Sequence, residues 1–137
     1  MINYFTNMLD TIQKSVLSID EKTFNKLVEE CIKTIENGHK VVVSGLGKNV
    51  PVCDKFVGTM NSLGQPAVYM NTNSAVHGDI GMVNEGDLVI VLTKSGETAE
   101  SIYLTGLLKK RKCLLWLLTF EENSTLVQEI GKENSII

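Results

Sequence analysis

Two turns in this sequence carry residue types suited to holding an anion. Thr93-Lys94-Ser95-Gly96-Glu97-Thr98 follows the apolar run Leu88–Leu92, and Ser44-Gly45-Leu46-Gly47-Lys48-Asn49 follows Val41–Val43. A turn that leads from a strand into a helix presents free backbone N–H groups, and the helix dipole adds positive potential there. In the turn from Thr93 to Thr98, Ser95 and Thr98 add hydroxyl donors, and Gly96 lets the backbone approach a ligand closely. A compact phosphate cradle follows from that chemistry.

Each of these residues also has a plainer reading. Most strand-to-helix turns need a glycine, and Gly45-Leu46-Gly47 lacks both the third glycine of a dinucleotide fingerprint and the spacing of a P-loop. Thr98 can simply cap its helix, with Glu97 and Glu100 as first-turn acids favoured by the dipole. Lys48 is either a surface lysine or, placed directly after a Gly-x-Gly strand end, a cation aimed at the ligand crevice. His77, in Val76-His77-Gly78-Asp79, sits in a connection between strands and reads as a turn histidine. The chain has two histidines, His39 and His77, and no paired ligand motif, so no metal site is expected.

The elements that must position these turns are legible from periodicity. Ile2, Phe5, Met8, Leu9, Ile12 and Val16 recur at helical spacing. Ser18-Ile19-Asp20-Glu21 has the form of a capping box and starts a second helix, which Asn37-Gly38 stops. From His39 the pattern changes to short apolar runs separated by helical stretches. Val41–Val43, Ala67–Met70, Leu88–Leu92 and Leu114–Leu118 read as strands, and Ser135-Ile136-Ile137 as the start of another. Pro51 suits the first turn of the helix that carries Cys53, Phe56, Val57 and Met60. A helix is expected from about Thr98 to Lys110, and a short one, capped by Asn123, through Ile130. Strands alternating with helices imply an α/β fold with a parallel sheet and right-handed crossovers. In such a sheet, ligands bind beyond the carboxyl ends of the strands, near the point where strand order reverses.

Composition narrows the function classes. The chain has 137 residues, 43% hydrophobic and 21% charged, with a net charge of -3, which suits one core and argues against a phosphate-backbone binder of nucleic acid. Lys109-Lys110-Arg111-Lys112 reads as the cationic end of a helix. Three scattered cysteines, Cys31, Cys53 and Cys113, fit small apolar residues in a reducing compartment. No run approaches a membrane span and Met1–Asp10 lacks a signal-peptide pattern, so a cytoplasmic location is expected.

Gly45-Leu46-Gly47-Lys48-Asn49, His77-Gly78-Asp79-Ile80-Gly81-Met82 and Ser95-Gly96-Glu97-Thr98 occur in the order and spacing of the sugar isomerase (SIS) domain. Within that superfamily the chain most resembles the D-arabinose 5-phosphate isomerases, from about Lys40 to Ile130. The resemblance implies a three-layer, flavodoxin-like parallel sheet of about five strands preceded by two helices. It implies one SIS-type unit over 1–137, with a helical lead-in at 1–37 and the sheet at 39–137. It places phosphate binding on Gly47, Asn49, Thr93, Lys94, Ser95, Gly96 and Thr98, and catalytic positions on Lys48, Glu100 and His77. Asn49 stands where the isomerases carry serine. The family's second glutamate and a further histidine fall beyond the fifth strand, so the chain is expected to be C-terminally short.

The activity implied is aldose–ketose interconversion of a pentose phosphate through a cis-enediol, with no cofactor, in a homodimer or homotetramer. Proton transfer of this kind needs a positioned base and a stabiliser for the enediolate oxygen, roles open to Glu100 and Lys48. Two other readings stay open. One is a phosphosugar-binding module without turnover, such as a sensor. The other is a helical dimerisation platform at 1–37 with the crevice unused.

Overall fold

Asp20 sets where the body of the fold begins. The computed structural model describes residues 1–137, and its first two helices, α1 (Ile2–Ser18) and α2 (Glu21–Glu36), meet at this residue. The Asp20 carboxylate accepts bonds from the Thr23 backbone N–H at 2.8 Å and the Thr23 hydroxyl at 2.6 Å. It therefore caps α2, and the expected Ser18 capping box does not form: the Ser18 hydroxyl donates to the Ser15 carbonyl instead. An aspartate two residues closer to the helix competes successfully because it reaches the first-turn N–H without bending the chain.

Five parallel strands follow: β1 (Val41–Gly45), β2 (Ala67–Asn71), β3 (Leu88–Leu92), β4 (Leu114–Leu118) and β5 (Ser135–Ile136). Between them lie α3 (Val50–Ser62), α4 (Thr72–Val76), α5 (Ala99–Leu108) and α6 (Thr125–Ile130). The sheet order is β2-β1-β3-β4-β5, which makes the fold a three-layer α/β structure of the flavodoxin-like order. The β-branched run Val41–Val43 is buried on both faces, as a central parallel strand requires.

Alternation along each strand feeds two separate cores. Val42, Val89, Val91 and Leu117 pack with Leu104 and Leu108 of α5 and Leu126 of α6. Val41, Val43, Leu88, Ile90 and Trp116 face the other way, against Leu27 and Ile35 of α2 and Phe56 and Met60 of α3. Cys53 belongs to this second core, and burial, followed by the charge of Asp54, pushes its thiol up to about 11. The three cysteines are free; Cys53 is buried, and Cys31 and Cys113 are partly buried.

Side-chain bonds tie the layers at points far apart in sequence. The fully buried Trp116 donates its indole N–H to Glu30 of α2 at 2.7 Å, and Lys26 lies 5.3 Å from the ring centroid. At the amino ends of β1 and β3, Asp87 is 1% exposed and accepts from the Lys40 ammonium at 2.6 Å, the Lys40 N–H at 3.1 Å and the Asn84 N–H at 2.7 Å. Burial works to raise its pKa, but the bonds from Lys40 and Asn84 outweigh it and hold the carboxyl below the ordinary aspartate range. Helix α1 stands apart from this framework. None of its residues is buried, and Phe5, Met8, Leu9, Ile12 and Val16 are exposed. No helix is long and apolar enough to cross a membrane.

Because the folded Asp87 pKa is depressed, its contribution is complete above the ordinary value, about 3.9, and is lost as the pH falls through the lower folded value. Asp87→Ala strands the Lys40 ammonium and should cost about 3 kcal/mol at neutral pH. Urea denaturation at pH 7 and again in acid should show the gap between variant and wild type closing as the pH falls. An equal gap at both pH values would contradict this assignment.

Candidate phosphate-binding site

The strand order reverses between β1 and β3, which are neighbours while their chains leave in opposite directions along the sheet. Both turns singled out in the sequence leave the carboxyl ends of these two strands, the position where an open parallel sheet holds its ligand. The first runs through a short 3-10 segment, Gly47–Asn49, into α3, with Pro51 in that helix's first turn. The second runs from Thr93 to Thr98 and opens α5.

The second turn is held by its carbonyls and left open at its N–H groups. The Lys94 carbonyl accepts from the Phe120 N–H at 3.1 Å and the Thr119 hydroxyl at 3.1 Å. The Gly96 carbonyl accepts from the Leu126 N–H at 3.2 Å. Inside the turn, the Thr93 hydroxyl accepts from the Gly96 N–H at 3.3 Å and lies 3.2 Å from the Thr98 hydroxyl, while the Ser95 hydroxyl accepts from the Glu97 N–H at 3.2 Å. The N–H groups of Ser95, Thr98, Ala99, Glu100 and Ser101 have no acceptor within the chain. Such a set of unpaired donors at a helix start is suited to an anion. Thr98 occupies the N-cap position of α5 but makes no side-chain cap bond, so the plain capping role does not account for it.

Gly96 is required twice over. Its φ is +67°, and a Cβ there would lie 2.2 Å from the Ser124 hydroxyl oxygen and 2.5 Å from the Ser124 Cβ. The first turn has a comparable constraint at Gly45, where a Cβ would fall 2.9 Å from the Asn49 Cβ. Asn49 in turn donates to the Leu92 carbonyl at 3.1 Å and so joins the first turn to the end of β3. Tyr69 supports the same turn from β2, donating to the Gly45 carbonyl at 3.1 Å and accepting from Asn71 at 3.0 Å.

The predicted residues thus fall into two groups. Thr93, Lys94, Ser95, Gly96 and Thr98 form one turn, and Asn49 and Gly47 lie in the turn beside it. Lys48, His77 and Glu100 are exposed, and none of them bonds to another. Glu100 sits in the first turn of α5, and His77 ends α4, a helix the sequence reading took for a plain connection. Asn71 caps that helix through its side chain, a signal visible in Asn71-Thr72-Asn73-Ser74. No three His, Cys, Asp or Glu side chains converge as metal ligands. A cleft of about 970 Å³ opens beside the site, walled by Asn49, Thr93 and Lys94 together with Phe120, Ile12 and Val16.

Two contributions escaped the sequence reading. Glu97 is not a mere first-turn acid: its carboxylate accepts from the Thr125 N–H at 2.6 Å and the Thr125 hydroxyl at 2.8 Å, and these bonds, the backbone one first, hold its pKa below the ordinary glutamate range. Ser101, buried just inside the α5 N-terminus, carries a hydroxyl with no partner. The first depends on a contact across 28 residues, which no local pattern encodes.

A model of the SIS domain family matches residues 34–132. An arabinose 5-phosphate isomerase KdsD from Pseudomonas aeruginosa is 35% identical over 111 residues, 80% of this chain and 34% of that protein. The chain spans about a third of the length of the curated relatives it matches, 30% and 38% in two further cases. Among solved structures, a proposed phosphosugar isomerase involved in capsule formation from Bacteroides fragilis has a TM-score of 0.86 at 28% identity, covering 99% of this chain and 72% of that one. An Escherichia coli protein solved in complex with a sugar phosphate has a TM-score of 0.80 at 28% identity, covering 98% and 71%.

Gly96→Ala should cost about 1–2 kcal/mol from its φ alone, before any movement of Ser124. It should also weaken phosphate binding measured by titration calorimetry. Wild-type affinity in a correctly folded Gly96→Ala protein would show that the turn's conformation is not what holds the anion.

Proposed function

This chain belongs to the SIS domain family, and from that premise we propose that its second turn holds the phosphate of a sugar phosphate for aldose–ketose isomerisation. The observation that carries the reading is the set of open N–H groups at Ser95 and at Thr98–Ser101, at the switch point between β1 and β3. Thr93, Lys94, Ser95, Gly96 and Thr98 supply the phosphate side, with Gly47 and Asn49 across from them. A pentose phosphate such as arabinose 5-phosphate, with ribulose 5-phosphate as the corresponding ketose, fits the reading, since relatives carry arabinose 5-phosphate in their names.

In the proposed reaction Glu100 removes the proton at C2 of the aldose, giving a cis-enediol, and the proton returns at C1. Lys48 stabilises negative charge on the enediolate oxygen, and His77 completes the polar set around the sugar. Glu100 is exposed in the first turn of α5 and engaged in no internal bond, which supports its being free to act as the base. Residues 1–137 act in this reading as one unit within a homodimer or homotetramer. The exposed apolar side chains of α1, Phe5, Met8, Leu9, Ile12 and Val16, support association, because a helix of this length with no packed face is marginal in water.

A second reading, phosphosugar binding without turnover, is favoured by one specific observation. The turn proposed for the phosphate is braced by the Lys94 carbonyl and the Glu97 carboxylate, whereas Lys48, His77 and Glu100 are exposed and mutually unconnected. Proton NMR of arabinose 5-phosphate in deuterated water separates the two. Isomerisation predicts solvent exchange of the C2 proton, reduced about 10²–10⁴-fold in Glu100→Gln with phosphate binding kept. Binding by wild type with no exchange at high protein concentration would leave the non-catalytic reading standing and remove the isomerase one.

A further inference from the structure

We infer that Glu97 is a positioning residue for the anion-holding turn: by capping α6 through Thr125, its carboxylate fixes the turn in the shape that leaves the N–H groups open. The inference rests on the sugar-phosphate reading and adds to it a residue that does not touch the ligand.

Glu97 lies inside the turn, between Gly96 and Thr98, where a free carboxylate would repel the phosphate it surrounds. Its charge is directed elsewhere. Both of its oxygens are occupied, one by the Thr125 N–H at 2.6 Å and one by the Thr125 hydroxyl at 2.8 Å. Thr125 is the first residue of α6, so the negative charge sits at the positive end of that helix. The charge-assisted bonds are short and directional.

The rest of the turn shows why this brace matters. Its other ties to the 119–126 segment, at the Lys94 and Gly96 carbonyls, are accepted by backbone atoms. Glu97 is the one side chain of the turn that reaches across to that segment. It also follows the left-handed Gly96 directly, where the backbone has most freedom to change course. With both oxygens engaged, Glu97 is not available as the proton-transferring base, whereas Glu100 has no internal partner.

The test is titration of inorganic phosphate into the full chain, with affinity and urea midpoint measured on the same preparations. Glu97→Ala should bind phosphate about tenfold more weakly. Glu97→Gln, whose amide oxygen still accepts from the Thr125 N–H, should recover to within about threefold of wild type. Thr125→Val, which removes only the second bond, should lose about threefold and carries the same test if the alanine variant folds poorly. Glu30→Ala, at the distant Trp116 contact, should lower the urea midpoint and leave phosphate affinity unchanged. Wild-type affinity in Glu97→Ala overturns the inference. So does a glutamine variant as weak as the alanine one, which would point to a direct role for the charge, or an equal loss in Glu30→Ala, which would point to global stability. No binding by wild type overturns the sugar-phosphate reading itself, and the inference with it.

Discussion

A backbone that is to hold an anion must leave several N–H groups unpaired, and folded backbones tolerate unpaired groups poorly. The Thr93–Thr98 turn meets both demands by tying down two of its carbonyls, its interior N–H groups and the Glu97 side chain, while other donors stay open. Its carbonyls at Lys94 and Gly96 are bound, its hydroxyls at Thr93 and Ser95 accept the two interior N–H groups, and Glu97 caps a neighbouring helix. What remains open is the set of N–H groups at Ser95 and at Thr98–Ser101. The rest of the fold can be understood as the support this requires.

That support comes from both ends of the sheet. β1 and β3 are the central strands, buried along their lengths, so the turns that leave them cannot drift apart. At their amino ends the Asp87–Lys40 pair and the Asn84 N–H join β1 to the approach to β3. At their carboxyl ends Asn49 reaches from one turn to the last carbonyl of β3. Trp116, one strand further, fixes α2 against the opposite face through Glu30. The switch point is thereby made from strand ends whose separation is set by core packing, and a site on such ends is more closely positioned than one on free loops.

Much of this was legible because the elements speak through local chemistry. Val41–Val43 and Leu88–Leu92 announce buried strands by β-branched and apolar continuity, Pro51 marks a helix start, and Asn37-Gly38 marks a stop. The misreadings are equally local in origin. Ser18 and Asp20 both offer a cap to one helix, and pattern alone does not rank them; Asp20 is nearer the N–H it must meet. Ser124, rather than Asn123, caps α6, a shift of one residue decided by the turn that precedes it. Helix α4 is five residues long, too short for periodicity to register. The bond from Glu97 to Thr125 spans two strand–helix units, and only the assembled sheet brings the partners together.

The same distinction explains why phosphate recognition reads so much more clearly than sugar chemistry. A phosphate cradle is built from backbone donors, and backbone conformation is what glycines, caps and strand ends dictate, so its geometry is encoded where its sequence is. A proton-transfer set is built from side-chain ends. Lys48, His77 and Glu100 come from three different segments, and each terminates in exposed, flexible atoms with no bond to the others. Their proper spacing is therefore not a property of any one segment. Under the proposed function it would be imposed by what they surround, a sugar anchored by its phosphate at the start of α5 offering each of them a fixed reference. In the proposed reaction the braced turn would therefore do more than bind: it would supply the coordinate frame in which otherwise independent side chains acquire a common reaction centre.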